Sequence, residues 1–423
     1  MNDFSVWYSP GVAAPCMAIK NDPELVYDYT WKWNTVAVVS DGTRVLGLGD
    51  IGPKAGLPVM EGKALLYKYL GGVDSVPIML DTKDPDEIIR TVLLMQPSFG
   101  GINLEDLSQP KCFRILETLR QQAEIPVWHD DQQGTATVTL AGVMNALRLT
   151  GRSISDVRIT FVGSGAANVA CARLIFARGA DPGRCVVVDS KGILGRHRDD
   201  IEKRRYEFVE KWNLCRITNE ENRQGGIAEA LTGADVLISL AHPGPGTILP
   251  EWVRGMAADP IVFACANPTP EIWPWEAKEA GAAIVATGRS DFPNQVNNSL
   301  CFPGIFRGTL DVRARTITDE MCFAAADALC DAVAHRNPDA PDSASGESAP
   351  FDAEHILPSM EDWEVFPRVA AAVGRKAIEQ KVARKDLTYK ELYQNAFEMI
   401  RRSRELTKMM MQAGFIGEEG ERR

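Results

Sequence analysis

Two short segments restrict the fold of this chain more than anything else in it. They are Gly101-Ile102-Asn103-Leu104-Glu105-Asp106 and Trp128-His129-Asp130-Asp131-Gln132-Gln133-Gly134-Thr135. Each closes an apolar run, Val92-Leu93-Leu94-Met95 upstream of the first and Ile125-Pro126-Val127-Trp128 within the second, and then delivers two acidic groups. Two strand ends that present carboxylates to one spot make a cage of hard oxygen donors, suited to Mg²⁺ or Mn²⁺ rather than to zinc. Taken singly, each pair is also accounted for by acids that cap the helix after a strand. Two pairs together with the glycine loop described below favour the cage.

At 423 residues the chain is too long for one ordinary core, so at least two domains are expected. Hydrophobic residues at 45% and charged residues at 24% are the composition of a soluble globular protein. A net charge of -11 argues against nucleic acid, whose phosphates demand surplus Lys and Arg. No apolar run approaches the roughly 18 residues of a membrane span. Met1-Asn2-Asp3-Phe4-Ser5 lacks the basic and apolar regions of a signal peptide, so the expected location is the cytoplasm. The nine cysteines form no CxxC pair and no zinc-type spacing. Cys171, Cys265 and Cys330 sit in apolar runs and read as reduced core residues.

The fold class expected is α/β with two domains: a smaller α/β domain, a doubly wound Rossmann-type domain, and a helical C-terminus. Residues 1–132 alternate helical patterns with strand-like runs at Thr35–Val39, Arg44–Leu46 and Val76–Leu80. A helix from about Gln133 to Leu149 leads into residues 133–335, where strands are expected at Arg158–Val162, Cys185–Val188, Val236–Ser239, Ile261–Cys265 and Ala283–Ala286. The Pro/Asp/Ser-rich segment 336–358 reads as an exposed loop. Residues 359–423 read as helices returning to the first domain. Thr388 and Glu391 have capping-box spacing, and Gly414 is a candidate stop. Met409-Met410-Met411 reads as packing filler or a subunit contact.

Gly163-Ser164-Gly165-Ala166-Ala167-Asn168 follows the apolar run Ile159–Val162 and opens an apolar helix, and Asp189 ends the next strand. This is the layout of a dinucleotide site, with pyrophosphate on the helix N-terminus and the acid on the ribose hydroxyls. Asn168 departs from the pattern by standing where a third Gly or Ala is usual. Asp189 favours NAD by repelling a 2′-phosphate, while Lys191, Arg196, His197 and Arg198 nearby leave NADP as the alternative. A second match, Gly47-Leu48-Gly49-Asp50-Ile51-Gly52, is followed by Pro53 and Pro58. Pro58 should interrupt a helix growing from it, and Asp50 would face a phosphate with like charge, so it reads as a structural or substrate-domain loop.

With these residues in hand, a family resemblance can be stated. Tyr8-Ser9-Pro10-Gly11-Val12-Ala13, Gly49–Gly52, Glu61-Gly62-Lys63, Asn103–Asp106, His129–Gln132, Gly163–Ala167, Asn267-Pro268-Thr269-Pro270-Glu271 and Gly288–Pro293 resemble, in order, the short bacterial malic enzymes. The likeness spans about residue 5 to about residue 315. It implies oxidative decarboxylation of (S)-malate to pyruvate and CO₂ with reduction of NAD(P), and a requirement for Mg²⁺ or Mn²⁺. It further implies Glu105, Asp106 and Asp131 as metal ligands, Asp130 as a supporting acid, and Tyr8 and Lys63 as the catalytic pair. Arg44 resembles the substrate-carboxylate binder, while Asn267 and Asn298 resemble residues near substrate and nicotinamide, with Asn297 able to exchange roles with Asn298. A homodimer is expected, although Tyr8 stands nearer the first residue than the family motif does.

On bare sequence several of these residues also have plain readings. Lys63 could be a surface lysine starting a helix at Ala64–Tyr69, and Tyr8 an aromatic packing beside Pro10. Arg44 could pair with Asp41 or Asp50, and Asn267 could be a turn former. His129 reads as a satisfied structural histidine. As a base, Lys63 would need burial or a nearby cation to lower its proton affinity. Two rival functions stay open: a malolactic or related 2-hydroxy-acid enzyme, and a regulatory module that binds NAD(H) without turnover. Against the module stands the full set Glu105, Asp106, Asp131, Tyr8 and Lys63.

Overall fold

The apolar runs of the first third form a four-stranded parallel sheet in the computed structural model, which describes residues 3–334 and 351–416. Its strands are β1 (Thr35–Ser40), β2 (Asp74–Met79), β3 (Gly101–Leu104) and β4 (Val127–His129), ordered β2-β1-β3-β4. β1 is buried along its whole length, which is why it reads as a continuous apolar run rather than an alternating one. Parallel pairing requires crossovers, and the helices Gly52–Gly71, Pro85–Met95 and Lys111–Gln122 supply them. Ile88, Val92, Ile115 and Leu119 cover one face of the sheet against Ala37, Val39, Ile102 and Leu104. Met60, Tyr67, Val36, Val38 and Trp128 join the main core on the other.

The second sheet holds β5 (Ile159–Val162), β6 (Val186–Asp189), β7 (Gly192–Ile193), β8 (Val236–Ser239), β9 (Ile261–Ala264) and β10 (Ile284–Thr287). Its order is β10-β9-β8-β5-β6-β7, parallel except for the short β7. The strand order reverses at β5, and the glycine loop leaves the carboxyl end of that strand, where open sheets of this kind bind ligands. Between the sheets runs the Thr135–Leu149 helix, opened by a π-helical turn at Asp130–Gly134.

The C-terminal helices Phe302–Asp311, Asp319–Ala334, Val365–Glu379 and Tyr389–Gln412 complete the main core. Thr388 and Glu391 form the expected capping box, and Gly414 takes the left-handed conformation (φ 72°) just past the last helix. That helix packs on the first domain at Gly72, where an added Cβ would lie 3.0 Å from the Met399 backbone. Among the described residues, no helix is long and apolar enough to cross a membrane. Most of the segment 336–358 lies outside the described residues.

Four expectations are revised. Val92–Met95 ends the Pro85–Met95 helix, and the strand that carries Glu105 is Gly101–Leu104 itself. Arg44–Leu46 is a turn, closed by the Val45 N–H donating to Gly49 O at 3.0 Å, not a strand. Pro58 lies inside the Gly52–Gly71 helix without ending it. The hydrogen bond it forfeits would reach back to residue 54 in the first turn, and burial of Met60, Lys63, Tyr67 and Leu70 holds the helix regardless. Met409, Met410 and Met411 are exposed, so they are not packing filler.

Small residues set how closely the C-terminal helices approach. A Cβ on Gly308 would collide with the Ala370 carbonyl, whereas one on Gly62, in the Gly52–Gly71 helix, meets nothing within 4 Å. Gly308→Ala is therefore expected to lower unfolding stability by about 1–3 kcal/mol. Gly62→Ala should raise it by about 0.5–1 kcal/mol through helix propensity alone. Urea titrations of both variants check this, and similar effects at the two positions would sink the close-packing account.

Candidate active site

Parallel strands end on the same edge, and that is what assembles the acids. Leu104 of β3 pairs with His129 of β4, so Glu105-Asp106 and Asp130-Asp131 leave the sheet side by side. One ligand oxygen from each of Glu105, Asp106 and Asp131 lies within 4.8 Å of the others. Asp106 takes a positive φ of 55°, and its N–H donates to Asp131 Oδ2 at 2.8 Å, which joins the two turns. Asp106 Oδ2 is buried without a hydrogen-bond partner. A buried carboxylate oxygen left open beside two further carboxylates fits a hard divalent cation, and these three residues would hold it.

Lys63 lies on the buried face of the Gly52–Gly71 helix, about three turns inside the helix rather than at its start. Its Nζ donates to Asp130 Oδ2 at 2.5 Å, lies 3.0 Å from Glu105 Oε1 and sits 4.3 Å from the centre of the Phe302 ring. Burial works against its charge, but Asp130 and Glu105 outweigh burial and hold the ammonium above the ordinary lysine range. The lowered proton affinity that a free base would need is thus absent here, because two carboxylates sit within 3.0 Å. Trp128 Nε1 donates to the other Asp130 oxygen at 3.0 Å.

The acids themselves are pushed the other way. Burial raises Glu105 well above the carboxylate range and raises Asp131, and it carries Asp106, with help from Asp131, to about 8. His129 is fully buried and lowered to about 4 by that burial, so its ring is neutral. Neither ring nitrogen has a hydrogen-bond partner, and Nδ1 stands 3.7 Å from Asp131 Oδ2. It is structural in position, but not satisfied.

Arg44 pairs with neither Asp41 nor Asp50, which are taken by Lys111 and Lys83 respectively. Its backbone N–H donates to Asp106 O at 3.0 Å and its exposed guanidinium donates to Leu46 O, so it stands at the edge of the acid cluster. Asn298 packs beside the Asp130–Gly134 turn, since a Cβ on Gly134 would come 3.1 Å from its own. Asn297 accepts from the N–H and hydroxyl of Ser299 and is spent as a cap, which leaves Asn298 as the one free for a ligand. Asn267 is exposed past the end of β9, and its side chain lies against Gly288. Its carbonyl faces Gly47, so the second glycine loop meets the dinucleotide domain rather than a phosphate.

Tyr8 is not brought to Lys63. Its ring is 74% exposed on an N-terminal arm that buries no residue in the Phe4–Trp7 helix. The arm has no core to pack into within one chain.

At the glycine loop, Gly163 takes φ 99°, and a Cβ there would lie 2.7 Å from Leu240 O. Ser164 and Gly165 lead into the Ala166–Ala177 helix, with Ala166 and Ala167 in its first turn. Asn168 donates to Val162 O at 2.7 Å and Gly163 O at 3.0 Å, tying helix to strand where a third glycine would only allow close packing. Asp189 is already engaged. Arg198 grips both its oxygens at 2.8 and 3.0 Å, and Lys211 adds a contact at 3.2 Å. Burial opposes the charge, but Arg198 and the other donors hold Asp189 below its usual range. Lys211 escaped the sequence reading because it lies 22 residues downstream. Glu271, read in the sequence only as the last residue of the Asn267–Glu271 motif, is buried and accepts from Ser239 Oγ and the N–H groups of Ala241 and Ala266, fastening the ends of β8 and β9.

Residues 1–120 match the model for the malic enzyme N-terminal domain, and residues 132–344 the model for the malic enzyme NAD binding domain. The chain is 48% identical over 386 residues to the bifunctional malic/malolactic enzyme of Bacillus subtilis, covering 90% of this chain and 88% of that one. It is 48% identical to the NAD-dependent malic enzyme of Geobacillus stearothermophilus (91% and 76% covered) and 45% identical to the NADP-dependent malic enzyme of Halomonas elongata (90% and 88%). The crystal structure of Entamoeba histolytica malic enzyme superposes with a TM-score of 0.92 at 49% identity, covering 98% of this chain and 84% of that one. The chain belongs to the malic enzyme family.

The raised acids set a pH dependence. Asp106 must lose its proton to serve as a ligand, so protons compete with the cation below its value of about 8. Mn²⁺ affinity is expected to climb as pH rises from about 6 to about 8.5, with proton release on binding. The raised value also means that the metal-free fold loses stability from this group as pH rises from the unfolded value of about 4, and that saturating Mn²⁺ removes the loss. Calorimetric titration in buffers of different ionisation enthalpy checks this. A flat affinity across that range would refute it.

Proposed function

We propose that this chain oxidatively decarboxylates (S)-malate to pyruvate and CO₂ while reducing NAD(P), at a centre of Glu105, Asp106 and Asp131 served by Lys63 and Asp130. The observation that carries the reading is the convergence of three carboxylates with an open buried oxygen and a lysine held within 3.0 Å of that set. We take residues 1–132 as the substrate and metal domain and residues 133–335 as the dinucleotide domain, with the reaction in the cleft between them. The 359–423 helices are proposed to fasten back onto the first domain.

A bound Mg²⁺ or Mn²⁺ supplies Lewis acidity at the C2 oxygen of malate and at the oxygen of the enolate that follows. Arg44, with no carboxylate partner of its own, grips a substrate carboxylate, and Asn298 and Asn267 orient substrate and nicotinamide. For the oxidation, Lys63 would take the C2 hydroxyl proton, and a bound NAD(P) would supply the hydride acceptor for C2. Lys63 must first be freed of a proton, and Asp130 Oδ2 at 2.5 Å is the acceptor in place. The C3–C4 bond then breaks, CO₂ departs, and an acid delivers a proton to C3.

Tyr8 is our candidate for that acid. The arm that carries it exposes Phe4, Val6 and Trp7 as well, an apolar surface that supports a homodimer. Only when a second copy covers and repositions the arm does Tyr8 come into service. The proposed location is the cytoplasm, supported by nine cysteines that are all unpaired thiols.

Cofactor preference turns on Asp189. Arg198 and Lys211 offset its charge, so NADP is accommodated beside NAD. The name of the Bacillus subtilis relative favours a second reading, a malolactic side activity in which the reduced cofactor is spent again on the product.

With (S)-malate and Mn²⁺, cofactor reduction is expected to match pyruvate one for one and to vanish with a chelator. Lactate formed without net reduction would establish the second reading, and no turnover despite nucleotide binding would overturn both. Lys63→Ala is expected to lower kcat by roughly 10²–10⁴ with nucleotide affinity unchanged. Tyr8→Phe should impair pyruvate formation more than hydride transfer from reduced nicotinamide to added oxaloacetate, and equal loss of both would remove Tyr8 from the acid role.

A further inference from the structure

A chain of buried polar groups leads away from Glu105, and nothing in the reaction described above uses it. Asn103 lies on β3 with no exposed surface, in register with Val38 of β1 and Trp128 of β4. Both neighbours are core residues, so an apolar side chain is what this position would ordinarily carry. Its Nδ2 donates to Glu105 Oε2 at 2.7 Å, and its Oδ1 accepts from the Tyr67 hydroxyl at 3.0 Å. The orientation is fixed by chemistry: a carboxylate only accepts, so the NH₂ must face Glu105, which leaves the amide oxygen to Tyr67 as donor. The Asn103 amide meets both demands from this position. Tyr67 is one helical turn beyond Lys63 and equally shut off from solvent, with its ring against Phe302 (4.6 Å) and Phe306 (5.3 Å).

The arrangement repeats on the neighbouring strand. Residues two apart on a strand share a face, so Asn103 reaches Glu105 as Trp128 reaches Asp130. Lys63 then joins the two remaining oxygens, Glu105 Oε1 and Asp130 Oδ2. Each carboxylate is thereby gripped from behind by its own strand and from the side by the helix.

We propose that Asn103, itself oriented by Tyr67, is the positioning residue that holds Glu105 ready for a divalent cation. This rests on the reading of Glu105, Asp106 and Asp131 as the metal ligands. Asn103 touches neither substrate nor cofactor, and it acts by removing the rotational freedom of a ligand that would otherwise have to be ordered when the cation arrives. Tyr67 acts one step further back.

The test is a Mn²⁺ titration of the metal-free full-length protein, followed by the electron-spin signal of free Mn²⁺, with NADH binding and thermal midpoint measured alongside. Asn103→Leu is expected to weaken Mn²⁺ binding by about 10- to 100-fold, with NADH affinity unchanged. Tyr67→Phe keeps the ring and its packing, and should weaken Mn²⁺ binding about three- to tenfold through loss of the hydroxyl alone. Because Tyr67 acts through Asn103, the double variant should bind Mn²⁺ no worse than Asn103→Leu. Asn103→Gln, which restores an amide, should recover part of the loss. A lowered midpoint with Mn²⁺ affinity within twofold of the unaltered protein would make the chain merely structural and overturn the proposal. Should Asn103→Leu fail to fold, Tyr67→Phe decides in the same way. If the unaltered protein binds no Mn²⁺, or Glu105→Gln binds it as well, the metal reading falls first and this one with it.

Discussion

The Lys63 ammonium, 2.5 Å from Asp130 and 3.0 Å from Glu105, is shut off from water together with both partners. Four acids crowd the ends of β3 and β4, and gathering them there without a cation would leave several buried charges uncompensated at a cost of several kcal/mol each. One positive charge cannot offset four buried carboxyls. Glu105, Asp106 and Asp131 all have their proton affinity raised by burial, the physical sign of that shortfall. The same imbalance that costs folding stability suits the cluster to the divalent cation proposed for it.

That interaction reaches across the molecule. Lys63 rides on the Gly52–Gly71 helix, Glu105 and Asp130 on two strands, and the Phe302 ring beneath the ammonium on the Phe302–Asp311 helix. Segments far apart in the chain therefore converge on a single nitrogen. The final helix packs against the Gly52–Gly71 helix at Gly72, so the C-terminus also steadies the element that carries Lys63. The glycine loop, Asn267 and Asn298 come from the second sheet, whose strands bring them to its carboxyl edge. The described N-terminal arm, with no buried residue in its Phe4–Trp7 helix, stays outside this assembly within one chain.

Much of the site was legible because its residues follow strands directly. Glu105, Asp106, Asp130 and Asp131 each lie one or two positions past a strand end, although the apolar run read upstream of Glu105 proved to be a helix end, and the parallel strands between helices had a readable alternation. The glycine loop was legible for the same reason. What escaped was set by contacts of long sequence separation. Lys63 looked like a helix start, because Pro58 suggested a break that packing of Met60, Tyr67 and Leu70 overrides. Asp189 looked free to take a ribose, because Lys211 lies 22 residues on and folds back to it. Asn103 appeared as an ordinary residue of the acidic motif, since Tyr67 is 36 residues away. Tyr8 was expected beside Lys63, yet its arm has no apolar surface of its own chain to cover it.

The sequence by itself determined the chemistry available: which segments become strands, which carboxylates stand at their ends, and which loop can approach a pyrophosphate. These follow from local rules, namely burial periodicity, the conformational freedom of Gly163 and the acids next to strand termini. Only the tertiary structure decided the charge states and the vacancies. It held Lys63 as an ammonium between two carboxylates, assigned Asn297 to a cap and spent Asp189 on Arg198. Proton affinity and hydrogen-bond occupancy depend on what lies within a few ångströms in space, and for these residues those neighbours come largely from other elements of the fold.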